Sequence, residues 1–459
     1  MSVRRVASPY VALAVVLAGV LVAPLDTAVN VAFPAITGAF GLELPEIRWA
    51  VILYVLTYGG LLLVGGRLGD LYGYRRVYGT GLAVAAASFA ACALAPGYEL
   101  LLAARIGQGL GTALVLGCGP ALALSLFPES ERTRVLGYYA SIFAFGNLLG
   151  LVAGGVLVGG FGWRSVFWMR VPLALSALAL LHRVPAAPLQ RGARAFDAAG
   201  SMLLAVWTVA FVFALALPGG TRPWLALLAV AAFVGFVVNE SRVVEPIMRP
   251  ALFRDARFTI LNLLNIAANL AAFAVPLLGP YYFVRVSSLD ASGVGLQLGV
   301  WAGGTLAGAA LAAPLGRRYG LRRTGFFGVA LCVAGLAFVA TWGTRTGLIA
   351  AGAALIVQGS GVGLFQVAYA DSVIATLPQK DRGVAGSLTM FTRMLGVVGA
   401  ATLFTALFHA AESSAIAAGS PADEAFIEGF RYVFRCAAAG LAACLVVSLV
   451  SSRDLSLRN

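Results

Sequence analysis

GDLYGYRR (69–76) and GRRYGLRR (316–323) stand 247 residues apart and share the pattern G-x-x-Y-G-x-R-R. A second pair follows in the same order, IGQGLGTAL (106–114) and IVQGSGVGL (356–364), now 250 apart. A third echo pairs Arg134 with Arg382, each leading into an apolar run. The chain therefore resembles itself, and the repeat length sets its architecture.

Between and around these motifs lie about fourteen apolar stretches, each near the roughly 20 residues that a helix needs to cross a bilayer. They cover approximately 11–33, 47–66, 77–95, 99–123, 135–159, 163–182, 198–217, 222–240, 258–283, 293–315, 324–343, 346–370, 383–408 and 432–451. The 459 residues are 60% hydrophobic and 11% charged, with a mean hydropathy of +0.91. Lipid offers no partner to backbone polar groups, so such spans must be helical, and the expected fold is all-α and polytopic. The repeat shift corresponds to eight spans, an even number, so the two copies share one orientation. That predicts two parallel six-helix halves, 1–195 and 258–459, with two surplus spans and a linker in 196–257.

The formal charge of +13 follows topology. With the N-terminus inside, about 22 of the 32 Lys and Arg fall on one side, about six on the other and about four within spans. The majority side carries Arg67, Arg75, Arg76, Arg132, Arg134, Arg183, Arg191, Arg194, Arg242, Arg249, Arg254, Arg257, Arg317, Arg318, Arg322, Arg323, Lys380 and Arg382, plus both termini. This positive-inside bias places both ends in the cytoplasm and removes the case for a nucleic-acid partner. Arg4 and Arg5 precede a run that continues past twenty residues, which reads as a first span and not a signal peptide. The five cysteines show no CxxC spacing, and His182 and His409 are far apart, so neither disulfides nor a metal site are implied. There is no phosphate-binding loop and no nucleophile–base set, and no cofactor or enzymatic activity is expected.

Four motifs in order make the resemblance specific. LDTAVNVAFP (25–34), GGRLGDLYGYRR (65–76), RIGQGLGTA (105–113) and WRSVFWMRVP (163–172) resemble signatures of the fourteen-span drug:proton antiporter branch of the major facilitator superfamily. The resemblance covers nearly the whole chain. It implies a monomeric inner-membrane transporter that moves a small molecule against protons, with its substrate path between two parallel repeats and lipid as its surroundings. Loop 65–76 would then be a cytoplasmic gate, with Gly69, Asp70, Gly73, Arg75 and Arg76 as its working residues. The bland reading of the arginines is topogenic. Its second copy carries Arg317 where the first has Asp70. GNLLGLVAGG (146–155) resembles the antiporter glycine motif through Gly146, Gly150, Gly154 and Gly155, but Leu151 stands where a proline is expected. Small residues at this spacing serve close helix packing.

Asp26 is the residue on which coupling would rest. An acid inside a span costs several kcal/mol unless paired, hydrated or protonated, about 2.5–3.5 on insertion scales. It lies about seven residues, or roughly 10 Å, from the outer end of its span, and Arg105 lies at a similar depth in span four. In the resembling fold spans one and four both line the N-terminal half of the cavity, which implies that the two share a polar patch; Asn30 is one turn from Asp26 on the same face. Burial favours the neutral acid and a nearby arginine favours the carboxylate, so a change of surroundings can move a proton. A structural ion pair is the bland alternative. Arg170, which replaces the asparagine usual in the resembling motif, and Arg393, deep in span thirteen, show no local partner. They are candidates to meet an anionic substrate group, or simply to pair with a backbone carbonyl. Asn262, Asn265 and Asn269 lie on one helical face, as glue between helices or as cavity lining.

Overall fold

The computed structural model describes residues 8–185, 197–216, 220–243, 250–376 and 382–456. Arg4, Arg5, Arg191, Arg194, Arg249 and Lys380, counted above in the charge bias, lie outside them. Among the described residues the regular structure is entirely helical, as the apolar runs require, and thirteen helical segments are long and apolar enough to span. The expected seventh span is a helix whose apolar core, Ala199–Phe211, is shorter.

The first span is not one helix. It runs as α1 (Pro9–Leu21), a 3₁₀ turn (Pro24–Thr27) and α2 (Ala28–Phe40). Pro24 lacks the N–H that a continuous helix would use, and the Asp26 amide instead donates three residues back, to Ala23 O at 3.1 Å. The Thr27 hydroxyl closes the turn on Pro24 O at 3.0 Å and also reaches Asn147 O at 2.9 Å. Then come α3 (Arg48–Tyr72), α4 (Tyr74–Leu94), α5 (Tyr98–Leu124), α6 (Arg132–Phe161), the short α7 (Ser165–Trp168), α8 (Arg170–Leu180), α9 (Ala198–Ala216) and α10 (Arg222–Arg242). The remainder is α11 (Ala256–Arg285), α12 (Ala291–Tyr319), α13 (Leu321–Val339), α14 (Leu348–Thr376), α15 (Arg382–Ala417) and α16 (Ala422–Ser456). Contacts group these into two units, Met1–Gly41 with Trp49–Ile247, and Leu42–Arg48 with Met248–Asn459. Helices α9 and α10 pack on each other within the first.

The sequence repeat is a structural repeat. Gly73 joins α3 to α4 at φ +93°, and Gly320 joins α12 to α13 at φ +86°, a backbone region that L side chains rarely enter. In the first unit a β-carbon at Gly109 would come 2.8 Å from Tyr54 O, and one at Gly111 2.6 Å from Ala85 N. In the second, Gly359 meets the Trp301 carbonyl and Gly361 the Cys332 amide in the same way. The shared Q-G-x-G run thus wedges α5 between α3 and α4, and α14 between α12 and α13, with backbones nearly touching.

The glycines of α6 do the same job at the break in the first span. A β-carbon at Gly146 would lie 2.6 Å from Pro24 Cγ, one at Gly150 3.2 Å from Leu25 Cα, and one at Gly154 2.8 Å from Ala28 Cα. Gly155 is buried beside them. The ridge fixes where residues 24–28 sit, and so where Asp26 points. Gly154→Leu should lower the detergent melting temperature by several degrees, for an overpacking cost of about 1–3 kcal/mol. Gly160→Leu on the same helix, where nothing lies within 4 Å, should melt like the parent. Equal melting of the two variants would remove the ridge from this role.

Candidate functional site

Asp26 sits at the break, its side chain 14% exposed, and every partner the structure gives its carboxyl is a donor. Arg105, on the third turn of α5, approaches as a fork, Nη1 to Oδ1 at 2.6 Å and Nη2 to Oδ2 at 3.0 Å. Gln108, one turn on, donates from Nε2 to Oδ1 at 2.7 Å. Arg170, at the start of α8, donates from Nη1 to Oδ1 at 2.7 Å. An ionised carboxylate accepts all four bonds; a protonated one would have to turn a hydrogen toward a guanidinium.

Each arginine is also tied elsewhere. Arg105 Nε donates to Ala50 O at 2.9 Å and its Nη1 to Gln108 Oε1 at 3.0 Å, while its guanidinium lies 4.3 Å from the Tyr54 ring centroid. Arg170 is wholly buried. Its Nε donates to Val166 O at 3.0 Å, and its guanidinium stacks 4.5 Å from the Phe89 centroid and 5.3 Å from that of Phe167. Its Nη2 is buried without a hydrogen-bond partner. With Asp26 ionised, two guanidiniums face one carboxylate, and the cluster keeps one positive charge.

The pairing of Asp26 with Arg105 expected from depth is present. The structure adds to two other readings. Arg170 pairs with a backbone carbonyl, Val166 O, and also with a distant partner, the same carboxylate, 144 residues earlier in the chain. Asn30 is half-buried, and among the described residues the hydrogen bonds of the Asp26 carboxyl do not include it. Gln108 was missed, although it lies three residues after Arg105 inside a motif already singled out; i,i+3 spacing was the available signal.

Segment 65–76 is held by bonds among its own residues and by one to Val184. Asp70 accepts from the Tyr74 hydroxyl and from Arg67 Nη1 at 3.0 Å, and Arg75 Nη1 reaches Val184 O at 2.9 Å. Gly69 leaves room for Tyr74 and Cys118, since a β-carbon there would stand 2.7 Å from Cys118 Sγ. Arg76 is exposed.

Among the described residues, the second unit holds no counterpart of the ion cluster. Leu355, fully buried, stands where the repeat places Arg105. Its polar interior is neutral instead. Asn262 accepts from the Tyr369 hydroxyl at 2.9 Å, Asn265 donates to Thr392 Oγ1 at 2.8 Å, and Asn269 donates to Asn265 Oδ1 at 3.0 Å. All three asparagines are buried, so they bind α11 to α14 and α15. Gln358 occupies the place of Gln108, accepting from Trp301 Nε1 and donating to Cys332 Sγ at 3.4 Å. Arg393 is half-buried, beside Thr392, and the structure gives it no hydrogen bond or ion pair.

A polytopic helical bundle built on a parallel repeat, with buried ions inside a span, defines a membrane transporter. The profile of the Major Facilitator Superfamily matches residues 15–401, and the chain belongs to that family. It is 26% identical over 404 residues to the riboflavin transporter RibZ of Clostridioides difficile, covering 87% of this chain and 88% of the other. It is 28% identical over 396 residues to the tetracenomycin C resistance and export protein of Streptomyces glaucescens, covering 84% and 74%. Among solved structures, a bacterial homologue of the human lysosomal transporter Spinster aligns with a TM-score of 0.72 at 15% identity, over 97% of each chain. The protein is thus an integral membrane transporter of small molecules and not an enzyme.

Removing the carboxylate would strand two buried guanidiniums. Asp26→Ala should cost about 3–5 kcal/mol, read as a lower melting temperature in detergent, and Arg170→Met added to it should recover part of the loss. A single variant that melts like the parent, or a double variant that melts below the single one, would show that the three charges do not depend on one another.

Proposed function

We propose that the protein is a proton-coupled exporter of small amphipathic or drug-like molecules, working by alternating access, with Asp26 as the proton-exchanging group. The observation that carries this reading is the buried carboxylate at the break of the first span, held by two arginines that each have other anchors. When Arg105 swings fully onto Ala50 O and Tyr54, or Arg170 onto Val166 O and its two rings, the carboxyl loses donors and can take a proton without leaving a bare cation. Opening and closing of the site then changes proton affinity, which is what coupling requires. The export direction is supported by the relative named for resistance and export. The same reading has the loop around Asp70 act as a cytoplasmic gate and Asn30, Asn265, Asn269 and Arg393 as candidates to line the substrate path. It also has two inserted spans (196–257) between six-helix halves (1–195 and 258–459), with both termini cytoplasmic and the monomer as the working unit.

One observation favours a second reading. The unmatched positive charge contributed by Arg170 suits a metabolite bearing an anionic group, moved by an importer or facilitator of the same fold. The riboflavin transporter relative keeps a metabolite cargo in view.

In vesicles, Asp26→Asn should abolish transport driven by a pH gradient while leaving substrate exchange at equal pH on both sides, since exchange needs no net proton movement. Gradient-driven transport at the parent rate in this variant would refute the coupling role. Uptake of organic anions that ignores the pH gradient in the parent protein would favour the second reading.

A further inference from the structure

Arg435 is a cation inside an expected span, and nothing above uses it. It lies 13 residues into α16, about 20 Å along the helix axis at 1.5 Å per residue, and about 10 Å beyond Glu428, the nearest acid before it on that helix. It is exposed, and among the described residues it has no hydrogen bond or ion pair; Glu428 pairs with neither Arg435 nor Arg431. One turn earlier, Arg431 is held in place by Nε donating to Trp342 O at 2.6 Å. Both arginines line a groove of about 530 Å³ between α13 and α16, whose floor is otherwise small and apolar, with Ala337, Ala340, Ala438 and Ala442. On the same two helices Phe338 is 46% and Tyr432 44% exposed, and further along α16 Val446 and Val447 are 57% and 60% exposed. Apolar side chains this open on a spanning helix face acyl chains.

We propose that this groove binds one anionic phospholipid, its phosphate between Arg431 and Arg435 and one acyl chain along the alanine floor. An unpaired guanidinium in a lipid-facing groove is costly unless it finds an anion, and the bilayer supplies one at this depth. Side chains on a helix lean toward its N-terminus, which brings the Arg435 head up toward Arg431 and the headgroup layer. The alanines leave an apolar channel beside the two arginines, so the site combines a charged and an apolar part as a single lipid does. A free phosphate would use only the arginines. The leaflet concerned is the one at the Ala422 end of α16.

The test is native mass spectrometry of the full purified chain, titrated with phosphatidylglycerol and phosphatidylcholine at equal mole fraction. The parent should retain phosphatidylglycerol preferentially. Arg435→Gln should reduce that preference about fivefold, the loss of one basic contact at a membrane surface. Ala438→Trp, which fills the channel and leaves both charges, should reduce it as well. Excess inorganic phosphate should not displace the lipid. Equal retention of both lipids by the parent, an unchanged preference in Arg435→Gln, or displacement by inorganic phosphate would each overturn the proposal. So would a dimer in the parent spectra that disappears in Arg435→Gln, which would assign the groove to a second copy of the chain.

Discussion

One carboxylate shared by two buried guanidiniums organises the first unit. Asp26 on the broken span, Arg105 on α5 and Arg170 on α8 come from three separate elements, and each loses its solvation unless the other two are in place. The glycine ridge of α6, the proline at the break and the stacking of Arg170 on Phe89 and Phe167 hold these groups at hydrogen-bonding distance. In the proposed cycle the cluster is also the element that changes, so stability and transport would draw on the same few contacts.

Among its described residues, the second unit reaches a similar helix packing without buried ion pairs. Its Q-G-x-G helix wedges between two neighbours as its counterpart does, but Leu355 replaces the arginine and asparagines replace the ions. A neutral amide in a helix interface costs little to keep and gives a specific bond. The repeat has thus preserved the backbone geometry, which glycine dictates, and let the polar chemistry diverge.

The fold was largely legible because its signals are local or periodic. Apolar run length announces a span, an even repeat shift announces parallel copies, and glycine at a junction announces a turn at positive φ, as Gly73 and Gly320 bear out. Within the site, depth along a span could be counted, so Asp26 and Arg105 were matched. Azimuth around a span could not. Arg170 looked unpartnered because its carboxylate lies on another helix, at a rotation that only packing fixes. Asn30 stands at helical spacing from Asp26, but spacing alone does not say whether two side chains bond.

The order in which the chain is made gives the cluster a further consequence. Asp26 leaves the ribosome 79 residues before Arg105 and 144 before Arg170. At about 5–20 residues per second, the later partner arrives on the order of ten seconds after the acid. During that interval the first span enters the bilayer with a solitary carboxyl group, which is least costly there when protonated. Translation itself therefore separates a neutral early state of this residue from the ion-paired one of the finished protein.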